Sequence, residues 1–262
     1  MNINKILAPS VLAMSLLTSV SAMAADVVSL KFSDGRPDVA GVDNVNAVLK
    51  SVGIHVTTVD IPVAAKPILA QTYKRPLSGD EQKRLIELFN LSQPQLLEQI
   101  KLAGRQPAVA GGGVMTSEVG VGPYPKVYDM RALDKKTHKA VLEKYGRMHV
   151  NSADDGTEID EVMTVVSGGP FRWAFTLADG ATVRFQVEPV DKDDKAVRVS
   201  YHGLGMHAGL MDAKQGAIVA FAHGPREFTM RYKAAVPHAE LLGTNPWIDF
   251  NGDMPVVLDK VK

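Results

Sequence analysis

The chain has no cysteine among its 262 residues. That absence excludes disulfides, thiolate zinc sites, cysteine nucleophiles and CxxC redox chemistry. It also excludes an N-terminal lipid anchor, which needs a cysteine just after its signal. Neither sign of charge dominates, since 29 basic residues face 29 acidic ones. Without a basic block there is no field to gather nucleic acid or an anionic membrane. Aromatic residues are only 6% of the chain. After Ala24 no apolar run approaches the ~20 residues of a membrane span. GxSxG, SxxK, HExxH and the phosphate-binding GxxxxGK[ST] are all missing. Gly203-x-Gly205 lacks the third glycine of a dinucleotide loop and sits between expected strands.

What is present begins with an export pattern. Lys5 is the one charge in residues 1–24, an apolar run follows from Ile6 to Val20, and Ala22-Met23-Ala24 has the small-x-small form of a signal-peptidase site. Cleavage after Ala24 and a periplasmic location are the expectation. The mature chain would keep 28 basic residues against 29 acidic ones.

Residues 25–125 read as a mixed α/β region. Val27–Phe32 and Ile54–Ile61 suit strands, with a helix over 42–52 between them, a small β-α-β arrangement. Ser78-Gly79-Asp80-Glu81 and Ser92-Gln93-Pro94-Gln95 are capping boxes that start two helices. Residues 106–125 are rich in glycine and proline and read as a linker or a functional loop. Residues 126–262 read as a second, β-rich domain. It opens with a strand at 126–130 and a helix at 134–145, and from Ile159 the pattern has period two with turn residues between short runs. The fold class expected is α+β, an N-terminal mixed helical part followed by a C-terminal antiparallel β-rich domain, either barrel or sandwich.

Four of the seven histidines, His149, His202, His207 and His223, fall in the β-rich part. Neutral imidazole is a good ligand for divalent transition metals. His202 and His207 flank a glycine-rich turn, although five residues across a loop is no established ligand spacing. Asn151, Asp154, Asp155, Glu158, Asp160 and Glu161 form an acidic run that reads first as a solvated turn. Phe171, Trp173 and Phe175 alternate on one strand, as core residues or as the wall of an apolar cavity.

Glu161 and Gly168 have the glutamate–six residues–glycine spacing that ends the first motif of the cupins, small antiparallel barrels that often hold a metal. Gly216 and Gly224 match the two glycines of the second motif. Ala222, Glu227 and Arg231 stand where it has proline, histidine and asparagine. The histidine pair of the first motif is His149-Val150-Asn151, too far before Glu161. Over residues 147–235 the chain thus resembles the cupins, which implies a barrel but carries no metal site across.

Three functions follow as expectations. The leading one is an exported binding or accessory protein without catalysis, whose partner is a small molecule or an envelope protein. The second is a metal-dependent cupin-like enzyme, in which His202, His207 and His223 with Glu161 or Glu227 hold a divalent metal. The third is a cell-envelope interaction protein that uses the loop at 111–122.

Overall fold

The computed structural model describes residues 26–107 and 124–261. The signal segment at 1–24 and the glycine-rich loop at 111–122 lie outside the described residues.

The first part of the chain supplies β1 (Val28–Phe32), β2 (Val39–Ala40), α1 (Val42–Leu49), β3 (His55–Asp60), α2 (Lys66–Leu69), α3 (Gly79–Leu88) and α4 (Gln93–Leu102). Then come β4 (Lys126–Asp129), α5 (Lys135–Tyr145), β5 (Val150–Ser152), β6 (Asp160–Gly168), β7 (Phe171–Thr176) and β8 (Thr182–Val187). The last elements are β9 (Lys195–His202), β10 (His207–Leu210), β11 (Gly216–His223), β12 (Thr229–Arg231), β13 (Ile248–Asp249) and β14 (Val256–Val257). The protein is α+β, as the change of period predicts.

Two five-stranded sheets carry the fold, in the orders β10-β7-β8-β1-β2 and β3-β9-β6-β11-β4. Every pairing in them is antiparallel. The antiparallel pairing agrees with the cupin-like resemblance, and the strands are arranged as two separate sheets. β1 pairs with β8, and β3 with β9, so both early strands complete sheets built by the later chain. The expected boundary at 125/126 therefore cuts through both sheets. The expected β-α-β arrangement is corrected too, because β1 and β3 lie in different sheets and α1 passes from one layer to the other.

One hydrophobic core joins the two layers. Leu30, Trp173 and Phe185 come from the first sheet, and Met163, Val165, Val199 and Tyr201 from the second. The Phe175 and Tyr201 rings meet across the gap, with centroids 5.5 Å apart. β6 is buried along its whole length, with both α4 and residues 70–73 packed against it. A smaller cluster forms where the C-terminal tail lays Trp247 and Ile248 over Ala208 and Leu210 of β10.

The helix starts follow their local chemistry. Ser78 Oγ accepts from the Glu81 N–H at 3.2 Å, and Glu81 accepts from the Ser78 N–H at 2.8 Å. No described helix is long and apolar enough to cross a membrane.

Candidate functional site

β5 and β10 bring two histidines face to face. His149 and His207 are opposite residues of an antiparallel bridge, exchanging backbone hydrogen bonds of 2.9 and 3.0 Å. Opposite residues project from the same face, so the rings stand 4.5 Å apart between centroids. Asn151, two residues after His149, shares that face. β5 can approach the end of β9 because Gly203 has no side chain: a Cβ there would lie 2.1 Å from the Asn151 carbonyl oxygen. This is the structural use of the glycine that resembled half of a dinucleotide loop.

Glu161 enters from β6 between Tyr201 of β9 and Ala222 of β11. Its Oε2 lies 3.3 Å from His207 Nε2 and accepts from Asn151 Nδ2 at 3.0 Å. Its Oε1 accepts from the Tyr124 hydroxyl. Burial opposes ionisation of Glu161, but the neighbouring His207 ring and the hydrogen bonds from Tyr124 and Asn151 outweigh it and hold the carboxyl below its usual value. Burial and then the Glu161 charge raise Tyr124 well above the ordinary phenol, so it stays a donor.

The tautomers follow from the partners. His149 Nδ1 lies 2.7 Å from the Arg147 carbonyl and His207 Nδ1 lies 2.6 Å from the Gly205 carbonyl. A carbonyl only accepts, so each Nδ1 carries a proton. Burial, helped by the neighbouring His207, pushes His149 down to about 3, which makes it neutral with its lone pair on Nε2. Asn151 Oδ1 is buried and has no hydrogen-bond partner among the described residues.

These groups line a cavity of about 220 Å³ between the sheets. Its walls include Tyr128, Tyr145, Trp173, Tyr201 and Phe228, with Met163, Met211 and Met230.

The other expected site residues lie elsewhere. Asp160, His202 and His223 are cross-strand neighbours on the outer face of the second sheet, one residue out of phase with Glu161. His202 Nδ1 meets Glu158 at 2.6 Å beside a separate groove of about 720 Å³. His223 is buried, with Nδ1 at 3.9 Å from Asp160, too long for a hydrogen bond. Asp160 is ion-paired with Arg105. Glu227 is exposed on the loop after β11, in a surface groove with Asp154 and Asp155. Strand alternation sends His207 inward and His202 and His223 outward, so His207 does not share a face with the other two expected ligands, and His202 is turned to Glu158. Among the described residues no group of three or more histidine and carboxylate side chains could hold a metal ion. The aromatic strand also divides: Trp173 lines the inner cavity, Phe175 the outer groove, and Phe171 packs in the core.

His149, Asn151, Tyr124 and Tyr201 belong to the site and were not among the expected ligands. The His149-x-Asn151 pair was the available signal. Its distance from Glu161 in sequence is a hairpin: Ala153 N–H donates to Thr157 O at 2.8 Å and Ser152 bridges Glu158.

No family model matches the chain, and no curated protein matches it. Among solved structures, acireductone dioxygenase from Bacillus anthracis, with a cadmium ion in its active centre, is similar at a TM-score of 0.48. The identity is 14%, over 78% of this chain and 95% of that one.

Proposed function

We propose that the protein binds a small organic molecule in the inter-sheet cavity and is exported to do so. The observation that carries this is the cavity itself, about 220 Å³, with a buried polar end and aromatic walls. Ligand sites commonly combine apolar walls with a few convergent polar groups. Here the polar end holds acceptors that the protein leaves for a guest, the lone pair of His149 Nε2 and the buried Oδ1 of Asn151. Leaving a buried acceptor unmade costs about 1–3 kcal/mol, so its retention fits a site completed by ligand.

The cavity can be closed without damage elsewhere. Gly209 lines it opposite Trp173, and a Cβ there would meet only Met211, at 3.8 Å. Thermal-shift screening of the protein lacking residues 1–24 against small organic compounds should yield stabilising ligands. Gly209→Val should abolish those shifts while folding normally. No ligand, or ligands indifferent to Gly209→Val, would overturn the reading.

One observation favours a metal-dependent reading in second place. His149 and His207 each spend Nδ1–H on a backbone carbonyl, the arrangement that orients metal-bound imidazoles. A bound ion would act there as a Lewis acid. Elemental analysis of the purified protein decides between the readings, and a stoichiometric metal lost in His207→Ala would favour this one. Export rests on residues 1–24; N-terminal sequencing of the exported protein should begin at Ala25.

A further inference from the structure

Resting on the reading of the cavity as a ligand site, we propose that its ligand is a small planar aromatic acid: a ring carrying a carboxylate at one end and a hydroxyl or amino donor at the other. Three independent features of the cavity select these three parts.

The ring is selected by the walls. The chain is poor in aromatics and holds only 6 tyrosines, yet Tyr124, Tyr128, Tyr145 and Tyr201 line this one cavity, together with Trp173 and Phe228. Such faces and edges favour a flat π-system over an aliphatic chain of equal size. Methionine sulfur on the remaining wall is also a good neighbour for a ring edge.

The anionic end is selected by two ammonium groups. Lys144 lines the cavity and is exposed, and its side chain lies 5.3 Å from the centre of the Tyr145 ring. Lys126 stands on the cavity face of β4, between the lining residues Tyr124 and Tyr128, with its ammonium 4.7 Å from the centre of the Tyr128 ring. No carboxylate among the described residues pairs with either, and the nearby Glu143 is turned to Lys139 at 3.7 Å. Burial and then the charge of Lys144 lower Lys126, so the two cations feel each other. An anion between them would relieve that repulsion.

The donor end is selected by the buried polar groups. His149 turns Nδ1 to the Arg147 carbonyl and so keeps its lone pair on Nε2, Asn151 Oδ1 lacks a partner among the described residues, and the Glu161 carboxylate accepts from Tyr124 and Asn151. A guest that presented a second carboxylate to them would meet repulsion, while a hydroxyl or amino hydrogen would complete them.

Calorimetric titration of the protein lacking residues 1–24 tests each part. The probes are 2-, 3- and 4-hydroxybenzoate, benzoate, phenol and 4-hydroxycyclohexanecarboxylate. At least one hydroxybenzoate should bind ten-fold or more tighter than each of the other three compounds. Lys126→Met with Lys144→Met should weaken that isomer at least ten-fold and leave phenol unchanged. Equal binding of benzoate, phenol or the saturated acid would overturn the donor, anion or ring assignment respectively. The wild-type panel decides even if the double variant fails to fold. Tight ligands of other chemistry that Gly209→Val abolishes would defeat this proposal and leave the binding function standing; absence of any ligand would defeat both.

Discussion

Glu161 and Asp160 are adjacent in the chain, equally buried, and surrounded by opposite kinds of chemistry. Asp160 faces outward beneath α4, where Arg105 neutralises it and donates on to Ser200 Oγ at 3.1 Å. Glu161 faces inward, where its partners are a phenol, an amide and an imidazole that themselves line a cavity. The outer carboxylate is neutralised by a guanidinium, although Arg105 Nε and both nitrogens of the adjacent His223 find no hydrogen-bond partner among the described residues. The inner group shares its surroundings with unmade acceptors and open volume. One step of strand alternation thus separates a carboxylate paired with a buried guanidinium from one that lines the cavity.

The largest break in this comparison comes from exchanging which carboxylate is lost. Asp160→Asn leaves Arg105 buried opposite a neutral group, and breaking such a pair costs about 3–5 kcal/mol. Urea unfolding should show that loss, while the folded fraction binds ligand as before. Glu161→Gln should do the reverse, with stability falling by no more than about 1.5 kcal/mol, because the amide still offers an acceptor. Ligand binding should then weaken at least ten-fold. If Asp160→Asn is the variant that loses ligand, the assignment of roles to the two faces fails.

The division between faces was partly legible in the sequence. Helix starts at Ser78 and Ser92 are readable because capping is local chemistry, settled within four residues. Strand β10 is not, because His202–His207 reads as one glycine turn and gives no sign that a new strand opens at His207. The partners of β1 and β3 lie about 140–160 residues away by the spacing of their strand pairs, and no local pattern records such pairing. In the site, His207 could be chosen from residue type, and Glu161 from its spacing to Gly168 in the cupin-like pattern. Separating His207 from His202 and His223 needs the phase of each strand, and β6 hides its own phase because both its faces are buried. Tyr124 follows a glycine- and proline-rich stretch and carries no periodic signal.

The pH dependence of stability sharpens the comparison from the histidine side. His149 on the inner face is held at about 3 against the ordinary 6.5, and burial lowers His223 on the outer face too. Below pH 6.5 the unfolded chain takes up protons that the folded chain refuses at these rings, down to about pH 3 at His149. Their contribution is therefore complete above pH 6.5 and is lost as pH falls, at up to about 1.4 kcal/mol per pH unit for each. Glu158 and Glu161 sit below their ordinary 4.5, so their contribution is present above 4.5 and is lost only below it. The limb between pH 6.5 and 4.5 thus belongs to the imidazoles. His149→Gln and His223→Gln should each flatten it. Equal slopes in wild type and both variants, read from urea midpoints, would show that neither ring is held neutral.

The smallest expected effect lies farthest from the cavity and separates two caps that look alike in the sequence. At Ser78 the hydroxyl accepts from the Glu81 N–H, and Glu81 is held in turn by Arg75 through two contacts of 2.7 Å. At Ser92 the hydroxyl instead donates to Gln95 Oε1 at 2.9 Å, and the same oxygen accepts from the Ser92 N–H at 2.9 Å. Ser78→Ala removes a backbone partner and should cost about 1 kcal/mol. Ser92→Ala leaves the Gln95 bond to the backbone in place, so its cost should stay below about 0.5 kcal/mol, the low end for a cap. Neither residue lines the cavity, so ligand affinity should be unchanged in both. A larger loss in Ser92→Ala than in Ser78→Ala would mean that the Ser92 hydroxyl caps the helix in solution, turned from Gln95 toward the backbone.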